Sequence, residues 1–265
     1  MTGTTPILLF DRVSKCFGGL TVIENLTISV RRGSRTALIG PNGAGKTTVF
    51  NLVTGVHAPD QGRIIFDDVD ITDVPSRQRI QNGIARNFQN VRLMPHLTTL
   101  ENVLVGQHSR NSGVFGVLQP VNLLARNRWR EEARAALADS GLSEYECAMV
   151  ASLPYGVQKR VELVRALMAH PRLLLLDEPA AGLNGAEREA LQAQLVSVCC
   201  DRGITLFVVE HDMQFVGELC DEVVVIDFGR KIAEGTPDEI RQHAVVQEIY
   251  LGAPVAKMNE RSHAS

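Results

Sequence analysis

Cysteine is sparse in this 265-residue chain, no hydrophobic run is long, and positive charge is not in excess. The five cysteines, Cys16, Cys147, Cys199, Cys200 and Cys220, show no metal-type spacing, which argues against a zinc framework. Their odd number and one adjacent pair point to free thiols in a reducing compartment. No stretch approaches the roughly 18 apolar residues that a membrane span needs. Residues 1–10 lack a charged start followed by a long apolar core, so they do not read as a signal peptide. A formal charge of −3 leaves no basic footprint for nucleic acid. Internal repeats and low-complexity tracts are absent. What remains is an ordinary apolar fraction in a length that suits one large domain, or one domain with a sub-domain.

The strongest positive signal is Gly40-Pro41-Asn42-Gly43-Ala44-Gly45-Lys46-Thr47, followed by Thr48. It is a Walker A phosphate loop. Thr36-Ala37-Leu38-Ile39 before it is strand-like, and residues 48–53 after it can open a helix, which is the context the motif requires. The glycines let backbone N–H groups wrap phosphates, and the helix N-terminus adds a partial positive charge. Lys46 is placed to reach the β and γ phosphates and Thr47 to offer its hydroxyl to Mg²⁺. Far downstream, Leu173-Leu174-Leu175-Leu176-Asp177-Glu178 reads as a strand covered on both faces and ending in two acids. Asp177 suits Mg²⁺ through water, and Glu178 suits a general base that polarises the attacking water.

Around these motifs, Leu26, Ile28 and Val30 alternate with polar residues. With residues 7–13 and 63–66 they predict an antiparallel β region. Residues 75–81, closed by Gly83, predict a short helix, and 84–88 a strand ending at Gln89. Thr98-Thr99-Leu100-Glu101 is a capping box. Residues 106–128 are poorly patterned, broken by Gly113, Gly116 and Pro120. Trp129, Ala133, Ala136, Leu137 and Ser140 follow helical spacing, as do Val157, Val161, Val164 and Met168. Then come a strand at 173–177, a helix carrying Leu191, Leu195 and Val198, a strand at 204–209, a helix around 212–220 and a strand at 222–226. That rhythm predicts a parallel sheet with helices on both faces. Thr236-Pro237-Asp238-Glu239 caps a further helix. The expected division is 1–94 and 166–252 as two pieces of an α/β core, 95–165 as a mostly helical insert, and 253–265 as a disordered tail.

Over about residues 7–250 the chain resembles the ATP-binding subunits of ABC transporters. Five family positions are matched in order. Phe17, in Lys15-Cys16-Phe17-Gly18-Gly19, corresponds to the aromatic residue that stacks on adenine. Gln89 corresponds to the Q-loop glutamine, which the resemblance places near Mg²⁺ and the permease. Leu153-Pro154-Tyr155-Gly156-Val157 corresponds to the signature that completes a partner's ATP site. Ala181-Gly182-Leu183-Asn184 corresponds to the D-loop, and His211 to the switch histidine. Without the resemblance, Phe17 reads equally as core, Gln89 as a surface amide and His211 as a cap or surface residue. Lys159 and Arg160 read as a solvated face of the signature helix. Two departures stand out. Pro154 and Val157 replace the usual serine and glutamine of the signature, and Asn184 replaces the D-loop aspartate. The backbone anion site at Gly156 survives; the serine hydroxyl does not.

The long segment before the signature, the phrase Glu178-Pro179-Ala180-Ala181-Gly182-Leu183-Asn184 and the end Gly235-Thr236-Pro237-Asp238-Glu239-Ile240 are similar to ATPase subunits, of the G type, for branched-chain (hydrophobic) amino acid uptake. That resemblance implies an α/β P-loop NTPase core with a parallel sheet, an antiparallel β subdomain and a helical insert. It implies ATP and Mg²⁺ as ligands, with Lys46, Glu178, His211 and Gln89 catalytic and Thr47, Gln89 and Asp177 toward the metal. It implies a second ATPase subunit of the F type, or a second copy of this chain, two membrane permeases and, indirectly, a periplasmic solute-binding protein. The expected place is the cytoplasmic face of a bacterial inner membrane, as a peripheral subunit. Rival expectations are the motor of a lipid or lipopolysaccharide exporter and a soluble ABC ATPase acting on nucleic acid or ribosomes. A single cassette without sustained heptads or a basic stripe argues against the last.

Overall fold

The computed structural model describes residues 5–87, 91–107 and 123–251, with backbone alone at 123–126 and 249–251. The expected Q-loop residue Gln89, the centre of the stretch 106–128 and the tail beyond Gly252 lie outside the described residues.

Strands β1 (Pro6–Phe17) and β2 (Leu20–Arg31) form a long antiparallel hairpin. The alternation read in the sequence sets its faces: Leu26, Ile28 and Val30 are buried and Thr27 is exposed. Strand β3 (Arg35–Ile39) leads through the phosphate loop into helix α1 (Lys46–Val53). Strands β4 (Gln61–Phe66) and β5 (Val69–Asp70) then return to the hairpin, giving a four-stranded antiparallel sheet of order β2-β1-β4-β5.

The chain continues through α2 (Ser76–Gln81), β6 (Ile84–Arg86), α3 (Thr99–Val105), α4 (Leu123–Asp139) and α5 (Tyr155–Leu167). It then alternates: β7 (Leu173–Asp177), α6 (Gly185–Arg202), β8 (Thr205–Val209), α7 (Met213–Leu219), β9 (Glu222–Asp227), β10 (Arg230–Gly235), α8 (Pro237–Gln242) and α9 (Ala244–Leu251). The second sheet has the order β10-β9-β3-β8-β7-β6 and is parallel except at β10. Every residue of β7 is buried, as its unbroken apolar run requires. The capping box at Thr98 forms as read, the Thr98 hydroxyl and the Glu101 carboxylate each serving the other's backbone N–H.

Two differences from the sequence reading are physical. Helix α4 begins at Leu123, inside the stretch that looked unpatterned. Strand β10 was not read at all. Its Arg230, Lys231 and Glu234 are polar, Ile232 and Ala233 are only partly buried, and it is an antiparallel edge strand paired to β9.

Three apolar cores result. Phe10, Ile28, Val49, Phe50 and Phe207 fill the space between the two sheets. Leu176, Leu191, Leu195, Val216 and Leu219 cover the other face of the parallel sheet. Leu100, Val103, Ala133, Leu137, Val161 and Val164 join α3, α4 and α5 into a separate helical cluster.

Arg79 is the largest fully buried side chain among the described residues. Its Nη1 donates to the carbonyls of Leu52 and Val53 at the end of α1, at 2.6 and 3.1 Å. Its Nε donates to Val74 O and its Nη2 to Thr72 O. A cation beneath the last carbonyls of α1 suits the negative end of the helix dipole. Arg79→Ala leaves these buried acceptors without their donor, and each costs about 1–3 kcal/mol. The expected loss is about 3–5 kcal/mol, read from denaturant midpoints, with Arg79→Lys recovering only part because one ammonium cannot span four carbonyls.

Candidate nucleotide site

The phosphate loop is a tight turn in which Ala44 N–H donates to Pro41 O at 3.2 Å. Gly45 has φ 102°, and a Cβ there would fall 2.7 Å from Ile23 Cδ1, so only glycine fits. Lys46 opens α1 and is buried, with its Nζ donating to Gly40 O at 2.7 Å and Pro41 O at 2.9 Å. The ammonium thus holds the loop in shape and lies where a phosphate would compete for it. Burial pulls Lys46 below the usual lysine range, against the opposing pull of Glu178 and Asp177.

Phe17 ends β1 with its ring half exposed rather than packed in the core. His57 meets it edge-on, ring centres 5.0 Å apart, and Lys15 Nζ lies 5.3 Å from the ring centre while paired to Asp60 at 2.7 Å. An exposed aromatic ring can stack on a planar base. The contributions of His57 and Lys15 depend on the approach of the residue 54–60 turn to the hairpin, which no local pattern announces.

Asp177 ends β7 and Glu178 follows it directly. Asp177 Oδ2 accepts from Arg86 Nη2 at 2.8 Å, and Arg86 Nη1 donates to Asn51 Oδ1 of α1 at 2.6 Å. Glu178 has φ 47°, a left-handed conformation costly for a residue with a Cβ. Its N–H donates to Val209 O at 2.9 Å, so the strained turn is fixed to the end of β8. Just beyond, His211 is mostly exposed.

Glu210, beside it, is almost fully buried. Its Oε1 accepts from Ala180 N at 3.0 Å and its Oε2 from His211 N at 3.2 Å, tying the switch loop to the D-loop. Asn184 is the N-cap of α6 in a capping box with Glu187. The spacing Asn-x-x-Glu before an apolar run is the cap signal legible in the chain at this point.

The signature opens α5, with Pro154 as N-cap at φ −54° and Tyr155, Gly156 and Val157 in its first turn. A Cβ on Gly156 would lie 2.5 Å from Glu187 Cδ, and Gly182 approaches the Tyr155 ring. The signature and the D-loop therefore pack on each other. No hydrogen bond or ion pair among the described residues joins the signature to the phosphate loop.

Lys159 and Arg160 are not a solvated face. Lys159 is 2% exposed, with its Nζ 5.6 Å from the Tyr155 ring centre. Arg160 is half buried, donating to Ser140 O and, at 3.1 Å, to Gln194 Oε1. Helix α5 is wedged between α4 and α6, so it has little solvated face to offer. Nearby, Arg92 N–H donates to Glu162 Oε1 at 2.8 Å and Arg165 Nη1 to Arg92 O at 2.7 Å, fastening the segment after residues 88–90 to α5.

Burial pushes the Glu210 carboxyl above the usual carboxylate range, against the N–H groups of Ala180, His211 and Asp212. The folded protein then holds that proton more tightly than the unfolded chain. The cost of ionising Glu210 is absent below the unfolded pKa of about 4.3 and grows as pH rises through the folded value. Glu210→Gln cannot ionise. The stability of the natural protein relative to Glu210→Gln is expected to fall as pH rises from about 4, then level off. Denaturant titrations at a series of pH values read the difference, and a pH-independent difference contradicts the assignment.

Residues 23–181 match the family model described as ABC transporter, and residues 230–256 match that of the branched-chain amino acid ATP-binding cassette transporter. The chain is 38% identical over 250 residues to BraF of Pseudomonas aeruginosa, a high-affinity branched-chain amino acid transport ATP-binding protein, covering 93% of this chain and 98% of that one. Identity and coverage are the same for LivG of Salmonella typhimurium, which carries the same description. A solved structure of MJ1267, an ATP-binding cassette of an ABC transporter in its ADP conformation, superposes with a TM-score of 0.82 at 31% identity, covering 94% of this chain and 100% of that one. The parallel core sheet with its antiparallel subdomain is the ABC ATPase cassette, and the site binds ATP. The chain belongs to the ABC transporter ATP-binding proteins of the branched-chain amino acid transport family, and it is an ABC transporter ATPase that works in complex with other transporter components.

Proposed function

We propose that this chain is one of two ATPase subunits driving a bacterial importer of branched-chain amino acids or related small solutes. The observation that carries the reading is the division of the site. Lys46, Asp177, Glu178 and His211 follow the C-terminal ends of β3, β7 and β8, whereas residues 153–157 open a helix in the separate helical cluster. One chain thus offers two half-sites, which a head-to-tail pair completes. The second subunit is an F-type ATPase or another copy of this chain. The match at residues 230–256 supports the cargo class. Two permeases, fed by a periplasmic solute-binding protein, hold the pair at the cytoplasmic face of the inner membrane. No helix among the described residues is long and apolar enough to cross a membrane itself.

In this reading Phe17 stacks on adenine, and the N–H groups of 43–48 cradle the phosphates. Lys46 exchanges the carbonyls of Gly40 and Pro41 for β and γ oxygens. Glu178 takes a proton from the attacking water, and His211 holds the γ-phosphate. Gln89 relays the state of the site to the permease. Thr47, Asp177 and Gln89 would hold Mg²⁺, and their hard oxygen donors fit that ion. Bound there, it neutralises charge on the β and γ oxygens. ATP binds the closed pair more tightly than the open one, and that difference does the mechanical work.

Glu178→Gln is expected to lower turnover by about 10²–10⁴-fold while keeping ATP binding, so the pair accumulates closed and ATP-bound. Size-exclusion chromatography with ATP and a phosphate-release assay test this; undiminished turnover removes Glu178 from its role.

Pro154 offers neither hydroxyl nor N–H to the partner's γ-phosphate. Pro154→Ser restores one hydrogen bond to a charged group, about 1.5–3 kcal/mol, or ten- to a hundred-fold in closure at the partner's site. Glu→Gln placed in one subunit at a time separates the two sites. Where the partner is a different subunit with a full signature, the larger loss is expected when this chain carries it. Equal losses, joined to a strong loss from Pro154→Ser, refute two unequal sites.

A further inference from the structure

Arg86 belongs to none of the motifs, yet its guanidinium bridges helix α1 and the end of β7. It ends β6, and its side chain is 9% exposed. It lies 5.5 Å from the Phe50 ring centre. One arm takes Asn51 on α1, and the other takes Asp177 Oδ2 on β7. The charges at the site then balance: Lys46 and Arg86 face Asp177 and Glu178. Both acids act on Lys46.

We propose that Arg86 is a positioning residue that neutralises the Walker B carboxylate and so keeps the site from binding a free divalent cation, making the metal enter only with the nucleotide. The inference rests on the magnesium reading above. With the guanidinium against Asp177, one carboxylate oxygen is engaged and the acids exert no net attraction on a bare ion. The triphosphate brings the negative charge that the metal needs. Without Arg86 the same acids carry an unbalanced charge and present both oxygens of Asp177.

The probe is Mn²⁺ alone, followed by its free-ion electron paramagnetic resonance signal, on the full chain without nucleotide. The natural protein is expected to show no saturable binding, and the same protein with ATP to retain Mn²⁺ through gel filtration, which separates it from Mn²⁺ held by ATP in solution. Arg86→Gln, which keeps hydrogen bonding and loses charge, is expected to bind free Mn²⁺ at least about tenfold more tightly. Arg86→Lys, which keeps charge and loses the fork, is expected to exclude it still. A purely structural role for Arg86 predicts that Lys and Gln behave alike. Asn51→Asp leaves Arg86 in place and adds a negative charge, so it must also draw Mn²⁺; it decides the question should Arg86→Gln fail to fold. If the natural protein takes up Mn²⁺ with ATP but neither variant takes it up alone, the inference falls and the magnesium reading stands. If the natural protein with ATP takes up none, both fall.

Discussion

Helix α1 is the part on which the chemistry turns. Its first residue is Lys46, its flank supplies Asn51 to Arg86, and its last carbonyls rest on Arg79. Phe50 and Leu52 bury its inner face between the two sheets. A helix of eight residues has little stability of its own, so tertiary contacts at both ends must fix it. Once it is fixed, the phosphate loop has a defined floor and the acids of β7 a defined distance from it.

The rest of the site is fastened by buried charge rather than by apolar packing alone. Glu210 joins the switch loop to the D-loop, and Arg188 pairs with Asp212 at 2.6 Å to join α6 to the loop that carries His211. Glu162 and Arg165 clamp the backbone of Arg92 to the signature helix. Such groups are costly to bury, and removing one partner leaves the other uncompensated. They transmit displacement because their geometry tolerates little slack.

What the sequence made legible was local chemistry. The phosphate loop, the apolar run of β7 and the capping box at Thr98 each follow from a few adjacent residues, and each formed as read. Arg79, Arg86 and Lys159 could not be read this way. All three look like surface cations in the chain, and only the meeting of distant elements buries them. Strand β10 escaped for the same reason, since its partner rather than its pattern makes it a strand.

The contact of Gly156 with Glu187, and of Tyr155 with Gly182, has a consequence for timing. The helix start proposed to serve a neighbouring subunit rests on the turn that follows this chain's own Asp177 and Glu178. In the head-to-tail pair proposed above, that contact would link the two ATP sites within each chain. The glycines at 156 and 182 keep it close: a methyl group at either would meet Glu187 or the Tyr155 ring and push the two segments apart.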